Sequence, residues 1–280
     1  KMANAAVNEC DVLFLVGARV GDRAVKTPLA LEKTTKIIHI DIDPAEIGKN
    51  IGADLPLVGD AKLVLQQMTE LAKPMKHDEW IAHIKTLGGE RKYVEPAKGT
   101  VNPRVFIDRL AKKMPANVTV VADVGQNQIW TCTEYKFRKE GRLLTSGGMG
   151  TMGYSVPAAI GAKMADDSRA TVAICGDGAF QMSFMELATA VQFGVDIKVV
   201  VMTNNRLGMV RELQTNGYHD RQTAVFLDGS PDFIKLAEAY GIPAMRVYDD
   251  DTMEKGIEML AEHKGICLVE VVVDKDMPTL

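Results

Sequence analysis

The segment Ala170–Gly178, with the sequence ATVAICGDG, decides the fold class of this 280-residue chain. Its first six residues are apolar or β-branched without alternation, which is typical of a strand buried on both faces. The Gly-Asp-Gly that follows indicates a tight turn at the carboxyl end of that strand, because glycine tolerates close backbone approaches. A buried strand that ends in this way predicts a parallel sheet covered by helices on both faces.

Six more segments have the same apolar or β-branched character and are predicted as strands: Val12–Val16, Ile37–Ile42, Val118–Ala122, Ile197–Thr203, Ala244–Val247 and Cys267–Val273. Amphipathic segments between them are predicted as helices: Ala61–Leu71, Trp80–Lys85, Arg104–Met114, Val156–Met164, Phe184–Phe193, Phe233–Tyr240 and Thr252–His263. Because strands and helices alternate through most of the chain, we predict an α/β fold with parallel-sheet, three-layer domains of the doubly wound type.

One segment divides the chain into two parts. Residues 93–102 contain proline and glycine and have neither helical nor strand periodicity, which is typical of a connection between domains. Two predicted strands precede this segment and five follow it. We therefore predict part of a nucleotide-binding type of domain at 1–75, a linker with a helix at 76–102, and a complete α/β domain at 103–280.

The composition restricts the class of protein. With 33 basic and 37 acidic side chains, the formal net charge is −4, which argues against nucleic acid or an anionic membrane as the main partner. No apolar run approaches the about 18 residues of a membrane span, so we expect no membrane segment. The four cysteines, Cys10, Cys132, Cys175 and Cys267, lack the spacing of a metal site or a disulfide framework. We expect reduced thiols in a cytoplasmic protein.

Two polar side chains are predicted to meet at one edge of the sheet. Asp177 follows the strand Ala170–Cys175, and Asn204 follows the next strand, Ile197–Thr203. Since a helix connects the two strands, both carboxyl ends face the same edge, where open α/β sheets bind ligands. A carboxylate beside an amide oxygen suits Mg²⁺, which usually completes its ligands with water and a diphosphate. The residues alone therefore predict a Mg²⁺–diphosphate site, against the simpler interpretation of Gly176–Gly178 as a surface turn.

Longer motifs resemble one family of enzymes. The Gly-Asp-Gly and Asn motifs resemble the diphosphate-binding signature of thiamine diphosphate enzymes, and their surroundings resemble the catalytic large subunits of acetolactate synthases. The motifs that carry this resemblance are VGARVGDR at 16–23, HIDIDPAEIGKN at 39–50, VGQNQIW at 124–130, SGGMGTMG at 146–153, GDGAF at 176–180, MELATA at 185–190 and NNRLGMVR at 204–211. They occur in the order of the family over essentially the whole chain.

The resemblance implies a cofactor site in residues 103–280. It implies Mg²⁺ ligands at the side chains of Asp177 and Asn204 and at the backbone carbonyl of Arg206. The positions implied to bind thiamine diphosphate are Val124, Gly125, Gln126, Asn127, Gly150, Met152, Gly176, Gly178, Ala179, Gly208 and Met209. Met152 is expected below the bend between the two thiamine rings, where an unbranched side chain fills an irregular gap. Leu213, where many family members have Trp, is expected to border the pocket of the second substrate.

The resemblance also gives an identity to each domain. It implies that residues 1–75 are the C-terminal part of a central, FAD-binding type of domain, and that 103–280 are the thiamine diphosphate-binding domain. The positions implied near FAD are Gly17, Arg19, Arg23, Asp41, Ile42, Asp60 and Ala61. The two arginines supply positive charge for a diphosphate or a flavin oxygen.

The implied activity is decarboxylation of pyruvate and condensation with a second 2-oxoacid. Pyruvate as acceptor gives 2-acetolactate, and 2-oxobutyrate gives 2-aceto-2-hydroxybutyrate, the entry products of valine, leucine and isoleucine biosynthesis. In the family the glutamate that activates the cofactor lies on a pyrimidine-binding domain, which residues 1–280 do not resemble. We therefore expect no catalytic acid within this chain and no turnover by it alone. The resemblance also implies a homodimer or tetramer and a possible regulatory small subunit.

Two alternatives stay open on the sequence. The chain could belong to another thiamine diphosphate-dependent carboligase or 2-oxoacid decarboxylase, which the products would distinguish. It could instead be a non-catalytic nucleotide-binding module, which would explain the absence of the glutamate-bearing domain. Binding of thiamine diphosphate and Mg²⁺ by the wild type and by an Asp177→Ala variant separates the last alternative from the enzymes.

Overall fold

The computed structural model describes residues 2–21, 24–25, 28–88 and 93–279. They form two compact units, residues 1–92 and residues 93–280. The elements of the first unit are α1 (Met2–Glu9), β1 (Val12–Val16), α2 (Pro28–Glu32), β2 (Lys36–Asp41), β3 (Leu55–Val58), α3 (Ala61–Leu71) and α4 (Asp78–Thr86). Those of the second are α5 (Pro103–Lys113), β4 (Thr119–Ala122), α6 (Gln126–Glu134), β5 (Arg142–Thr145), α7 (Ser155–Ala165), β6 (Thr171–Gly176), α8 (Asp177–Gln181), a 3₁₀ turn (Phe184–Glu186), α9 (Leu187–Gln192), β7 (Lys198–Thr203), α10 (Gly208–Gly217), α11 (Phe233–Ala239), β8 (Ala244–Val247), α12 (Asp250–Glu262) and β9 (Cys267–Val272).

The second unit is built on a parallel six-stranded sheet in the order β5-β4-β6-β7-β9-β8. Successive side chains of its strands pack into two different cores, because alternate residues of a strand point to opposite faces. In β7, Val200 and Met202 belong to one core with Phe106. Val199 and Val201 belong to the other core. The sheet is therefore covered by helices on both faces, which confirms the predicted three-layer α/β class.

The strand order reverses between β4 and β6. From β4 the chain passes to β5 on one side and then returns to β6 on the other. In open α/β sheets the loops at the carboxyl ends of two such strands diverge and leave a crevice that binds ligands. The segments that leave this point are Val124–Asn127 after β4 and the Gly-Asp-Gly segment after β6.

The first unit has a parallel three-stranded sheet in the order β1-β2-β3. A small core of Val20, Leu31, Ile37 and Ile51 lies against it. Strand β1 alternates between exposed and half-buried side chains. Helix α3 has no fully buried residue and begins with a side-chain cap from Asp60.

All seven predicted strands are present, with ends that differ from the prediction by no more than one residue. The predicted helix at 184–193 is divided into a 3₁₀ turn and α9. The sequence did not predict strands β3 and β5 or helices α1, α2, α6, α8 and α10. The identities predicted for the domains stay predictions. Within the described residues, no helix combines the length and the apolar character that crossing a membrane requires.

Candidate functional site

A cavity opens at the carboxyl ends of β4, β6 and β7. It lies where the strand order reverses, so its walls are the segments that follow these strands. The predicted site residues that line it are Val124, Gly125, Gln126, Asn127, Met152, Gly176, Asp177, Gly178, Ala179, Asn204, Arg206, Gly208 and Met209. Residues from four separate parts of the sequence are thus brought together in one place.

Asp177 is the buried acid of this cavity, with 2% of its surface exposed. Its Oδ1 accepts from the amide of Gly178 at 2.8 Å. Its Oδ2 accepts from the amides of Asn204 at 3.1 Å and Asn205 at 2.7 Å. Burial raises the pKa of Asp177 to about 6, although these amides oppose the shift by stabilising the charged form. Among the described residues no basic side chain pairs with it.

Asn204 lies beside Asp177, as the sequence predicted from the two strand ends. Its Oδ1 accepts from the amide of Arg206 at 3.1 Å, and its Nδ2 donates to Oε1 of Gln126 at 3.2 Å. Both the oxygen and the nitrogen of the carboxamide therefore have hydrogen-bond partners, and the oxygen faces the turn that contains Arg206. This turn holds Asn205 at a φ of +54°, in the left-handed region that Asn accepts better than most residues.

Arg206 is fixed by three contacts outside the cavity. Its guanidinium lies 4.6 Å from the ring centroid of Phe226 and pairs with Asp228 at 2.9 Å. Its backbone forms an antiparallel bridge with Phe226. In the described part of the chain no group donates a hydrogen bond to the carbonyl oxygen of Arg206. That oxygen is therefore free to act as a ligand.

Three helices begin at the cavity without a capping side chain. The N-cap positions of α6, α8 and α10 are Gly125, Gly176 and Leu207, and none accepts a helix amide through its side chain. In contrast, α5, α11 and α12 of the same unit are capped by Asn102, Asp232 and Asp249. First-turn amides without a cap, together with the helix dipole, favour a bound anion. Because the Asp177 carboxylate accepts from the Gly178 amide, the other first-turn amides of these helices are the ones available to an anion.

Glycines make room for the side chains of this site. A Cβ added to Gly208 would lie 1.9 Å from Oε1 of Gln126 and 3.1 Å from Nδ2 of Asn204. A Cβ added to Gly125 would lie 2.6 Å from Oδ1 of Asn127, and this glycine has a φ of +143°. A larger residue at either position would push a polar side chain out of place.

Two predicted positions do not line the cavity. Gly150 is exposed on the segment before α7, with a φ of +66°. Leu213 is 53% exposed on α10. Five lining residues were not predicted: Trp130, Met202, Leu207, Val210 and Val273. Trp130, Leu207 and Val210 lie within or beside the predicted motifs, and that position in the sequence was the signal that could have found them.

The positions predicted near FAD lie in the first unit at the carboxyl ends of its strands. Gly17 and Arg19 follow β1, Asp41 ends β2, and Asp60 follows β3. Ile42 and Ala61 adjoin Asp41 and Asp60. The described positions therefore share one sheet edge, whereas Arg23 lies outside the described residues. The carboxylate of Asp60 is already engaged, because it caps α3 by accepting from the Leu63 amide at 3.1 Å.

Comparison with known proteins agrees with this geometry. Residues 123–271, more than half of the chain, match the sequence profile described as the C-terminal TPP binding domain of thiamine pyrophosphate enzymes. The chain belongs to the thiamine pyrophosphate enzyme family. Residues 1–68 match the profile of the central domain of the same enzymes. Thiamine pyrophosphate is thiamine diphosphate, so the resemblance inferred from the motifs is confirmed.

Individual relatives of this thiamine pyrophosphate enzyme chain are acetolactate synthase subunits. It is 39% identical to a probable acetolactate synthase large subunit of Methanocaldococcus jannaschii over 98% of the chain and 48% of that protein. It is 36% identical to the acetolactate synthase large subunit of Lactococcus lactis, over 98% of the chain and 48% of that protein. The large subunit of acetolactate synthase isozyme 2 of Escherichia coli is 35% identical over 98% of the chain and 50% of its own length. The chain thus spans about half the length of these relatives.

The donors of the cavity fit Mg²⁺ and thiamine diphosphate. A buried carboxylate without a basic partner, an amide oxygen and a free carbonyl are the oxygen ligands that Mg²⁺ prefers. Uncapped helix amides suit a diphosphate. No group of three or more His, Cys, Asp or Glu side chains suited to a metal occurs among the described residues. The set at this cavity is of another kind, with one carboxylate, one carboxamide and one backbone carbonyl.

Proposed function

We propose that this chain is part of the catalytic large subunit of an acetolactate synthase, which forms 2-acetolactate from two pyruvates or 2-aceto-2-hydroxybutyrate from pyruvate and 2-oxobutyrate. The observation that carries the proposal is the buried carboxylate of Asp177 beside Asn204 in a cavity of uncapped helix amides. Relatives named as acetolactate synthase large subunits, similar over nearly the whole chain, narrow the family to this activity. The proposal places the protein in branched-chain amino-acid biosynthesis.

In this proposal the chain holds Mg²⁺ and the diphosphate of the cofactor. Asp177, Asn204 and the Arg206 carbonyl bind the cation, and the amide of Ala179 with other first-turn amides of the cavity binds the diphosphate. The Gly178 amide orients the Asp177 carboxylate. When bound, thiamine diphosphate supplies the carbanion and the electron sink for decarboxylation and carbon–carbon bond formation.

The remaining residues of the chain bind, orient and desolvate. Val124, Gly125 and Gln126 border the diphosphate, while Met152 with the backbone of Gly150 supports the rings. Gly208 and Met209 continue the wall towards the substrate, and Leu213 influences the choice between pyruvate and 2-oxobutyrate as acceptor. No residue of this chain is proposed as an acid or a base.

The proposed partners follow from the same assignment. Pyruvate and 2-oxobutyrate are the substrates, the enzyme is a homodimer or tetramer, and a regulatory small subunit accompanies the large one. The word "large" in the names of the relatives supports the last of these. Sizing of the purified protein with multi-angle light scattering tests the oligomer.

Product analysis tests the activity in the protein that carries this chain. With pyruvate, thiamine diphosphate and Mg²⁺, the proposal predicts 2-acetolactate, detected as acetoin after acid decarboxylation. Added 2-oxobutyrate should give 2-aceto-2-hydroxybutyrate. Acetaldehyde as the main product would indicate a decarboxylase instead. Tight binding of thiamine diphosphate without any turnover in that protein would favour a non-catalytic module.

We also propose FAD at the carboxyl edge of the β1-β2-β3 sheet. Support comes from the positions that share this edge, including the guanidinium of Arg19, which is exposed there. Flavin fluorescence should be quenched on binding, and Arg19→Ala should weaken that binding by several-fold. Lys73→Ala, an exposed lysine beyond the C-terminal end of α3, serves as the control for a general loss of positive charge.

A further inference from the structure

Asp123 is a second buried acid, directly before the cavity-lining segment Val124–Asn127 and outside the predicted set of site residues. It follows β4 directly and has no exposed surface, at 0%. Its Oδ1 accepts from the amides of Val124 at 2.8 Å and Gly153 at 3.0 Å. Its Oδ2 accepts from the amide of Ser155 at 2.8 Å. The carboxylate therefore connects the segment after β4 with the segment that leads into α7.

The segment joined in this way carries Met152, which lines the cavity. Tyr154, the N-cap of α7, gives no side-chain cap, so Asp123 satisfies the first amide of that helix from the end of β4. Gly153 has a φ of +85°, and a Cβ added there would lie 3.0 Å from Cβ of Met182. The path of the chain on both sides of Met152 is therefore tightly restricted.

On the side of α6 the Asp123 carboxylate accepts, among the described amides, only that of Val124, and further bonds anchor this wall. The Nδ2 of Asn127 donates to the backbone carbonyls of Asp123 at 2.8 Å and Ile174 at 3.1 Å. These bonds connect α6 to the ends of β4 and β6. Loss of the carboxylate should therefore loosen the Met152 segment more than the wall that faces the diphosphate.

We propose that Asp123 is a positioning residue, which fixes the Met152 segment against the cavity before any ligand binds. This inference rests on the proposed binding of thiamine diphosphate, since that segment is the one assigned to the rings. Asp123 touches neither cofactor nor substrate in this assignment. It acts through the backbone amides that it orders, because buried amides without an acceptor are costly.

Hydrogen exchange of the unmodified protein tests the arrangement without any variant. The amides of Gly153 and Ser155 should be strongly protected in the absence of ligand, whereas that of Gly148 should exchange quickly. Adding thiamine diphosphate with Mg²⁺ should change the protection of Gly153 and Ser155 little. Fast exchange of both amides in the free protein, slowed only by the ligand, would overturn the proposal.

An Asp123→Asn variant tests the consequence for binding. Asn has nearly the same shape, but its NH₂ must face a backbone N–H, so at least one amide loses its acceptor. Calorimetric titration should show affinity for thiamine diphosphate with Mg²⁺ reduced roughly tenfold, because binding must order the loosened segment again at the cost of one unsatisfied buried amide. Affinity for inorganic diphosphate with Mg²⁺, which lacks the rings, should change less than twofold.

Ile257→Val provides the matched control, because it removes one methyl group from the buried core under α12. It should lower stability without changing the ratio of the two affinities. An equal loss of both ligands in Asp123→Asn, or no loss of either, contradicts the positioning role. If the unmodified protein binds neither ligand, the proposed function fails, whereas the exchange of Gly153 and Ser155 still decides whether Asp123 orders the segment.

Discussion

At the scale of single residues, the site depends on a carboxylate that the fold keeps charged at a cost. Asp177 receives three backbone amides and no cation from the described side chains. Burial nevertheless raises its pKa to about 6. A divalent cation would remove this penalty by supplying the missing opposite charge. The raised pKa of Asp177 and its suitability as a cation ligand therefore have the same physical origin, which is burial without a basic partner among the described residues.

The affinity for Mg²⁺ should depend on pH through Asp177. Because burial disfavours the charged form, the folded protein without ligand retains the proton up to a pKa of about 6. The cation must displace that proton, so affinity is full above this pKa and is lost as the pH falls through it. Between about pH 7 and pH 5 the apparent affinity should fall roughly tenfold.

Calorimetry at several pH values, with thiamine diphosphate present, measures this dependence. Protonation of the free diphosphate is measured in the same buffers without protein and subtracted. A corrected affinity that stays constant down to about pH 5 would show that the carboxylate titrates near its ordinary value and that burial does not control it.

A substitution of Gly208 should weaken cofactor binding without lowering the stability of helix α10. In Gly208→Ala the new Cβ would meet Oε1 of Gln126 at 1.9 Å, so Gln126 and its partner Asn204 must move. Cofactor affinity should fall at least tenfold. Helix stability should not suffer from the change itself, because Ala favours a helix over Gly by about 1 kcal/mol.

Gly217→Ala is the matched control on the same helix, since nothing lies within 4 Å of a Cβ added there. Isothermal titration and thermal unfolding of both variants give the comparison. Equal affinities for the two variants would mean that the position of Gln126 does not matter for binding.

The residue types alone identified Asp177 and Asn204, whose side chains carry the oxygens that a metal ion can bind. Asp177 and Asn204 could be placed together because parallel strands deliver their carboxyl ends to one edge. Asp123 escaped notice because it lies just before the VGQNQIW motif and not within it, and because its partners Gly153 and Ser155 lie about 30 residues away. Trp130 was quoted within a motif, but its place in the cavity depends on α6, which periodicity did not reveal.

At the scale of elements, three of the five missed helices, α6, α8 and α10, are the ones that build the site. The N-cap positions of α6, α8 and α10 are glycine or leucine and have no side chain that caps a helix, so the starts of these helices lack the usual sequence signal. Helix α12, with its capping box, was predicted within a few residues of its observed ends. The absence of a cap, which hid these helices, is also what leaves their amides available for an anion.

The missed strands have a similar explanation. Strands β3 and β5 have four residues each and contain proline or arginine. They lie at sheet edges, where burial on both faces is not required. Strand β8 has the same length, an arginine and an edge position and was predicted, so these features weaken the sequence signal without removing it.

Asp60 should stabilise helix α3 whether or not FAD is bound. Asp60→Ala removes the acceptor of the Leu63 amide and should lower the free energy of unfolding by about 1 kcal/mol. Asp60→Asn should restore most of it, because Asn caps helices as well as Asp does. Denaturant unfolding of both variants measures the difference. Equal stability of Asp60→Ala and the unmodified protein would contradict the capping role.

At the scale of the whole molecule, each compact unit carries a parallel sheet whose polar residues gather at the carboxyl edge. In residues 93–280 that edge has a cavity, a buried acid and uncapped helices. In residues 1–92 it has the positions proposed for FAD. The sequence profiles of the central and the TPP binding domains fall within these two units. The order of motifs along the chain indicated two such domains, and the identities predicted for them stay predictions, whereas the ends of the units came from the packing.

The central claim is that Asp177 holds a divalent cation that binds the diphosphate of the cofactor. Calorimetric titration of thiamine diphosphate with Mg²⁺ into the unmodified protein, Asp177→Ala and Asp167→Ala tests it most directly. Asp167 is an exposed acid in the turn before β6, whereas Asp177 follows the same strand. We predict that Asp177→Ala lowers the affinity at least a hundredfold and that Asp167→Ala leaves it unchanged. Binding to Asp177→Ala with the affinity of the unmodified protein would contradict the claim.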